Sequence, residues 1–92
     1  MAKIVAIDDD PSIVELVKVN LEMQGHTVIT APDGIQGFAM IQQERPNLVV
    51  MDLMMPEVDG YTVCQRVRKV PELEGIPIIL LTAMGELDDK VK

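Results

Sequence analysis

The sequence predicts an α/β domain built on a parallel sheet. Three short apolar runs each lead directly into polar residues: 3–7 into Asp8 and Asp9, 47–51 into Asp52, and 76–81 into Thr82. Short apolar runs bounded by turn signals are typical of buried parallel strands. Ligands of open α/β sheets bind beyond the carboxyl ends of the strands. We therefore expect the three strand ends to share one pocket.

The first half of the chain alternates strand and helix. After the first strand, Asp10 is a good helix N-cap and Pro11 suits the first helical position. Apolar residues then follow at helical spacing, at Ile13, Leu16, Val17 and Leu21. Gly25 ends this helix. The second strand, 26–30, is more polar, which favours a place nearer the edge of the sheet.

The second half repeats the alternation. A turn at Asp33 and Gly34 opens a helix whose apolar face we predict from Ile35, Phe38 and Ala39. Pro46 closes that helix before the third strand. The remaining elements are a loop at 53–60, a helix at 61–69 with Val63 and Val67 one turn apart, the fourth strand, and the start of a fourth helix at 86–92. The pattern predicts right-handed βαβ crossovers.

Composition limits the classes of partner. The 92 residues suit one small domain, and the formal charge of −7 argues against non-specific binding to nucleic acid or to anionic membranes. Cys64 is the only cysteine, so the chain forms no intrachain disulfide, which suits a reducing compartment. The first apolar run is too short for a signal sequence or a membrane span. We expect a cytoplasmic protein.

The acidic residues suggest phosphoryl chemistry on a metal. If the first and third strands are neighbours, Asp8, Asp9 and Asp52 lie close together, and clustered carboxylates either raise a pKa or hold a cation. Oxygen ligands without His or Cys favour Mg²⁺ over Zn²⁺. Since Mg²⁺ takes only one or two carboxylates, another can act as a nucleophile toward a phosphoryl group. Thr82 could then hydrogen-bond the new phosphoryl oxygen.

Three segments, 4–12, 49–60 and 77–83, resemble the receiver domain of two-component response regulators. The most specific of them runs from a strand into Asp52 and continues with Met-Pro and Asp-Gly pairs. Taken together, the resemblance covers the whole chain. It implies a flavodoxin-like, doubly wound parallel sheet with strand order 2-1-3-4-5.

The resemblance also implies roles for individual residues. Asp52 would be the phosphoacceptor, Asp9 would ligate Mg²⁺ directly and Asp8 mainly through water. Met54 would offer its backbone carbonyl to the metal, and Thr82 would be the switch hydroxyl. A sensor histidine kinase would be the phosphoryl donor, and an output domain or a partner protein would read the state. Beyond its own phosphorylation and dephosphorylation, such a domain is not an enzyme.

The chain departs from the family in its last part. It lacks the fifth strand, with its lysine and aromatic residue, and the fifth helix, so we expect residues 1–92 to be a C-terminally truncated receiver domain with strand order 2-1-3-4. The fourth strand would then be an edge with apolar side chains on both faces. Apolar surface over the first, third and fourth strands would also be uncovered. We therefore expect a homo-oligomer formed through the fourth strand.

Two other functions fit parts of the sequence. The residues Asp8, Asp10 and Ser12 after a strand resemble the nucleophile motif of haloacid-dehalogenase-like phosphatases, with Asp8 as nucleophile and Asp10 as acid and base. Alternatively, the chain is a non-signalling fragment or a structural module of receiver ancestry, because a shared fold does not guarantee a shared function.

Overall fold

The computed structural model describes residues 2–81, which form a four-stranded parallel sheet with helices on both faces. The strands are β1 (Lys3–Ile7), β2 (Thr27–Ala31), β3 (Leu48–Asp52) and β4 (Ile78–Leu81), and the helices are α1 (Pro11–Met23), α2 (Gly34–Glu44) and α3 (Gly60–Arg68). Each strand and helix predicted within this range is confirmed, with ends displaced by one or two residues. The helix start predicted at 86–92 lies outside the described residues.

The strand order is β2-β1-β3-β4, and all three strand pairs are parallel. The predicted α/β class and the order 2-1-3-4 are therefore confirmed. Ile7 lies opposite Met51 across the β1–β3 pair, and Asp52 lies opposite Leu81 across the β3–β4 pair. Because β1 and β3 are neighbours, their carboxyl ends open onto the same side of the sheet.

Side-chain alternation along β1 divides the core between the two faces of the sheet. Val5 and Ile7 point toward α2 and α3, where they join a cluster that includes the fully buried Val63 and Val67 of α3. Ile4 and Ala6 point the other way, toward Val17 and Leu21 of α1. Val63 and Val67, which the sequence places one turn apart on this helix, are thus its buried apolar residues.

The predicted apolar face of α2 is partly wrong. The buried residues of this helix are Gly34, Gly37 and Ile41, while Ile35 is 55% exposed. Ala39 is exposed too, and Phe38 is half-buried. A Cβ at Gly37 would collide with the side chain of Ile7, so the helix lies on β1 through a position that has no side chain. Because glycine has no apolar side chain, the spacing of apolar residues in the sequence predicts a neighbouring face of α2 as the buried one.

The face of the sheet that carries α1 is only partly covered. Leu16 is 60% exposed and Ile79 is 49% exposed. Between α1 and the β3–β4 pair runs an open groove of about 380 Å³, lined by Leu16, Val17, Asn20, Leu21, Val50, Ile79 and Leu81. Among residues 2–81, no charged side chain lines it. This groove agrees with the bare apolar surface expected over the first, third and fourth strands.

The opposite end of the sheet, at the amino ends of the strands, is tied by side-chain hydrogen bonds. The Asn47 Oδ1 atom accepts the Lys3 backbone N–H at 2.8 Å. The Arg68 Nη1 atom donates to the carbonyl oxygens of Glu74 and Ile76, at 2.8 and 2.9 Å. The connection from α3 to β4 is thereby fastened to the end of α3. Within residues 2–81, no helix combines the length and the apolar character that crossing a membrane requires.

Candidate functional site

Three carboxylates meet at the carboxyl end of β1 and β3. Asp8 directly follows β1, Asp9 comes next, and Asp52 is the last residue of β3. One carboxylate oxygen from each of the three lies within 4.8 Å of the others. Asp8 is buried, Asp52 is half-buried and Asp9 is exposed. The structure thus brings together the acidic residues that the strand ends suggested, while their chemical roles stay predictions.

The environment of Asp8 disfavours its charged form. Burial raises the pKa of this carboxyl above its ordinary value of 3.8, and the negative charges of Asp52 and Asp9 raise it further. The backbone N–H of Asp10, which donates to Asp8 Oδ1 at 2.9 Å, acts in the opposite direction without reversing the shift. The hydrogen bond from Asp10 therefore does not offset the repulsion among the carboxylates of Asp8, Asp9 and Asp52.

Asp10 lies beside the cluster but does not belong to it. Its Oδ1 atom accepts the backbone N–H of Ser12 at 2.9 Å, and its extended backbone (φ −95°, ψ 110°) is that of an N-cap. The predicted capping role is confirmed. A carboxylate engaged in this way is poorly placed for the acid and base role that the phosphatase alternative requires.

The segment between Asp52 and α3 is held by short backbone contacts. The Met54 N–H donates to Asp52 Oδ1 at 3.3 Å, and the Gly60 N–H donates to the Leu53 carbonyl at 2.9 Å. The Met54 side chain is 57% exposed. Its predicted metal contact through the carbonyl oxygen stays a prediction. These bonds hold the Asp52 carboxylate and the start of the loop together.

The far end of the same loop opens α3. Asp59 is the N-cap and accepts the Thr62 N–H at 2.8 Å, a bond that lowers the pKa of the Asp59 carboxyl. Glu57, in the middle of the loop, has φ +66°, in the left-handed region that favours glycine. The tight course of this loop brings position 60 back against Asp52.

Sequence reasoning missed the role of two glycines. The sequence pattern places Gly60 at the end of the loop at 53–60 and Gly34 in a turn, and predicts no packing role for either. In the structure, both are buried: Gly60 lies against the carbonyl oxygen of Asp52, the last residue of β3, and Gly34 lies against the carbonyl oxygen of Val58 in the loop that follows β3. The available signal was the repeated Asp-Gly pair, with the aspartate as N-cap and the glycine as first helical residue at Asp33–Gly34 and Asp59–Gly60.

Thr82 lies outside the described residues. Its neighbour Leu81 ends β4 opposite Asp52, and the Leu53 N–H donates to the Leu81 carbonyl at 2.8 Å. The predicted switch role of Thr82 is not tested by these contacts.

The cluster suits a hard divalent cation. Its three side chains offer only oxygen ligands, which Mg²⁺ prefers. A cation among them would also offset the repulsion that raises the pKa of Asp8. The chemistry of the donor set therefore fits the Mg²⁺ that the sequence suggested.

Comparisons with known proteins agree on one family. The model of the response regulator receiver domain matches residues 4–92. The chain is 50% identical, over its full length, to the DNA-binding dual master transcriptional regulator RpaA of Synechocystis. It is 44% identical over 89 residues to the alkaline phosphatase synthesis transcriptional regulatory protein PhoP of Bacillus subtilis. It spans only 38% and 36% of the lengths of these two relatives.

Solved structures give the same result for the fold. The chemotaxis response regulator CheY4 of Vibrio cholerae superposes with a TM-score of 0.89 at 33% identity, covering 99% of this chain and 76% of that one. A response regulator receiver domain protein from Clostridium thermocellum gives a TM-score of 0.87 at 29% identity, covering 99% of this chain and 72% of that one.

Proposed function

Because the chain belongs to the response regulator receiver domain family, we propose that Asp52 accepts a phosphoryl group from a sensor histidine kinase. The position of Asp52 carries most weight. It is the last residue of a central strand, half-buried, and its carboxylate lies with those of Asp8 and Asp9 within 4.8 Å. Such a carboxylate is accessible to a donor and adjacent to a place for a cation.

The transfer itself needs little from the protein except placement and charge. A carboxylate oxygen of Asp52 attacks the phosphorus of a phosphohistidine. The phosphorus–nitrogen bond breaks, its electron pair returns to the imidazole, and Asp52 becomes an acyl phosphate. The Met54 N–H, which donates to Asp52 Oδ1 at 3.3 Å, helps to orient the attacking carboxylate.

The other acidic residues would hold the metal. Asp9 and Asp52 would ligate Mg²⁺ directly, Asp8 mainly through water, and Met54 through its backbone carbonyl. Mg²⁺, when bound, neutralises charge on the transferred group. Thr82 would hydrogen-bond the phosphoryl oxygen and report the modified state. The domain is thus the kinase's substrate and a signal carrier rather than an enzyme acting on small molecules.

In this proposal, residues other than 1–92 recognise the phosphorylated state of Asp52. Two relatives are called transcriptional regulators, and one of them is called DNA-binding. With a formal charge of −7, this chain itself is a poor partner for nucleic acid. An attached output domain or a separate protein would therefore read the phosphorylated surface. We expect the reaction to take place in the cytoplasm, where a lone cysteine stays reduced.

Phosphorylation by acetyl phosphate and Mg²⁺, followed by intact mass and peptide mapping, tests the assignment of the acceptor. Wild-type protein should gain one phosphoryl group at Asp52, and Asp52→Asn should gain none, because an amide is a poor nucleophile. Asp10→Asn is the matched control, since asparagine also caps helices and this residue lies outside the cluster. Undiminished labelling of Asp52→Asn would contradict the proposal, and a label on Asp8 would point to the phosphatase-like alternative.

A further inference from the structure

We propose that Gly60 is a positioning residue for Asp52. The missing side chain at position 60 allows α3 to begin directly against the backbone of the acceptor, and this contact fixes where the Asp52 carboxylate lies relative to Asp8 and Asp9. The part of this inference that concerns labelling rests on the proposed function. The part that concerns the geometry of the acidic cluster does not.

The contact at Gly60 leaves no room for a methyl group. A Cβ at this position would lie 2.5 Å from the carbonyl oxygen of Asp52, 3.0 Å from Leu80 Cδ2 and 3.1 Å from Leu53 Cα. Real Cβ atoms essentially never approach another heavy atom within 3.0 Å. Leu80 could change its rotamer, but a backbone carbonyl cannot turn aside without moving its peptide. A side chain at position 60 must therefore displace either α3 or the Asp52–Leu53 peptide.

The helix is the better anchored of the two. Val63 and Val67 hold α3 in the core with no exposed surface, and Asp59 caps its first turn through the Thr62 N–H. Asp52 is the last residue of its strand, and within residues 2–81 a single backbone hydrogen bond, from the Leu53 N–H to the Leu81 carbonyl at 2.8 Å, ties the peptide that follows it to β4. The displacement then falls on the acceptor, and its carboxylate moves away from its place in the cluster.

Two other glycines provide graded comparisons. A Cβ at Gly34 would lie 2.7 Å from the carbonyl oxygen of Val58, so it strains the same loop at a point six residues from Asp52. A Cβ at Gly75 would meet nothing within 4 Å. Gly34→Ala therefore reports the effect of strain in the loop without displacement of Asp52, and Gly75→Ala reports the effect of alanine without any steric clash.

The experiment compares Gly60→Ala, Gly34→Ala and Gly75→Ala with wild type at a temperature where each variant is folded. Amide resonances of Asp8, Asp9 and Asp52 in the ligand-free protein, Mg²⁺ affinity, and the rate of labelling by acetyl phosphate are measured. Gly75→Ala should match wild type throughout. Gly34→Ala should melt earlier but label at the wild-type rate.

Gly60→Ala should shift the three aspartate amides, weaken Mg²⁺ binding, and label about a hundredfold more slowly, the loss typical of a misplacement of about 1 Å. If Gly60→Ala is folded with wild-type amide shifts at the three aspartates, the inference is wrong. It is also wrong if Gly34→Ala loses as much labelling as Gly60→Ala. If wild type is not labelled at all, the proposed function fails, and the amide shifts still decide the role of Gly60.

If Gly60→Ala does not fold, hydrogen exchange in the wild-type protein replaces it. The Gly60 amide donates to the Leu53 carbonyl at 2.9 Å, next to the acceptor, whereas the Ile76 amide donates to Leu73 at 3.0 Å, remote from the site. Saturation with Mg²⁺ should slow exchange at Gly60 by a larger factor than at Ile76, whose amide reports the general stabilisation of the folded protein. Equal slowing at the two amides, or an unchanged Gly60 amide, overturns the inference.

Discussion

The backbone N–H of Asp10 donates a 2.9 Å hydrogen bond to the Oδ1 atom of Asp8. This bond favours the ionised carboxylate of Asp8, while burial and the charges of Asp52 and Asp9 disfavour it more strongly. Asp10 therefore has two roles: its side chain caps α1, and its backbone N–H partly stabilises the ionised carboxylate of Asp8.

The first prediction concerns pH. Because the folded-state pKa of Asp8 is raised above 3.8, the contribution of this group to stability is fully present below that pH and is lost as the pH rises through the folded-state value. Asp8→Asn keeps an acceptor for the Asp10 N–H but cannot ionise. In metal-free urea titrations, the free energy of unfolding of Asp8→Asn relative to wild type should therefore increase across this pH range.

Asp33→Asn is the matched control for that experiment, because Asp33 caps α2 outside the cluster and asparagine also caps. At neutral pH, where Asp8 of the wild type is ionised, Asp8→Asn should have the higher free energy of unfolding and the higher melting temperature. If the difference in the free energy of unfolding between Asp8→Asn and wild type does not change with pH, Asp8 does not have a raised pKa in the folded protein.

The strand ends allowed the acidic cluster to be predicted from the sequence. Parallel strands place their carboxyl ends together, so Asp8 and Asp52 had to meet once their strands were neighbours. That adjacency and the whole strand order came from the family resemblance rather than from periodicity. The sequence also could not tell which of Asp8 and Asp9 is buried, because both directly follow the last apolar residue of the strand.

Packing through glycine could not be predicted in the same way. Gly37 and Gly60 are buried where other elements approach closely, yet a residue without a side chain adds nothing to a hydrophobic pattern. The pattern therefore placed Ile35 on the buried face of α2, where the structure leaves it 55% exposed. The expected role of Thr82 remains a prediction, since this residue lies outside the described range.

The second prediction concerns the metal. Mg²⁺ that binds only the folded protein should raise the melting temperature, with a stabilisation of about 2.7 kcal/mol at a concentration one hundred times Kd. Asp9→Ala should reduce this response by removing a proposed direct ligand, and Asp10→Asn should preserve it. Differential scanning calorimetry with and without Mg²⁺ measures the effect. An unchanged melting temperature of wild type at millimolar Mg²⁺ would contradict a competent site.

The third prediction tests the corrected face of α2. Ile41 is fully buried, so Ile41→Ala should lower the free energy of unfolding by about 2–5 kcal/mol through lost contacts and a residual cavity. Ile35→Ala, on the same helix, should cost about 0.5 kcal/mol or less, as is usual for exposed positions. Chemical denaturation of both variants gives the comparison. Similar decreases in the free energy of unfolding would mean that Ile35 is buried, as the sequence pattern predicts.

The fourth prediction concerns the backbone at Glu57. Because φ is +66° at this residue, Glu57→Gly should relieve left-handed strain of about 1 kcal/mol, less the entropy that glycine gains in the unfolded chain. The expected outcome is a small net stabilisation in thermal unfolding. Glu57→Ala removes the same carboxylate but keeps the strain, so a gain of equal size in that variant would assign the effect to charge.

The fifth prediction concerns assembly. The groove that contains Leu16 and Ile79 leaves both of these apolar side chains exposed, and β4 is the outermost strand of the sheet that residues 2–81 form. We expect light scattering to give a molecular mass above that of one chain. Leu16→Lys should shift the protein toward the monomer, while Ile35→Lys, at an exposed position on α2, should not. A folded, cooperatively unfolding monomer at dilute concentration would contradict the expected homo-oligomer.

The tied amino ends of the strands have a consequence for how this domain can diverge. Asn47 and Arg68 hold the chain together at one end of the sheet, and the carboxylates lie at the other. Substitutions that retune the chemistry therefore fall far from the bonds that secure the connections. Changes at Asp8, Asp9 or Asp52 can therefore alter the acidic cluster and leave the hydrogen bonds at the amino ends of the strands in place.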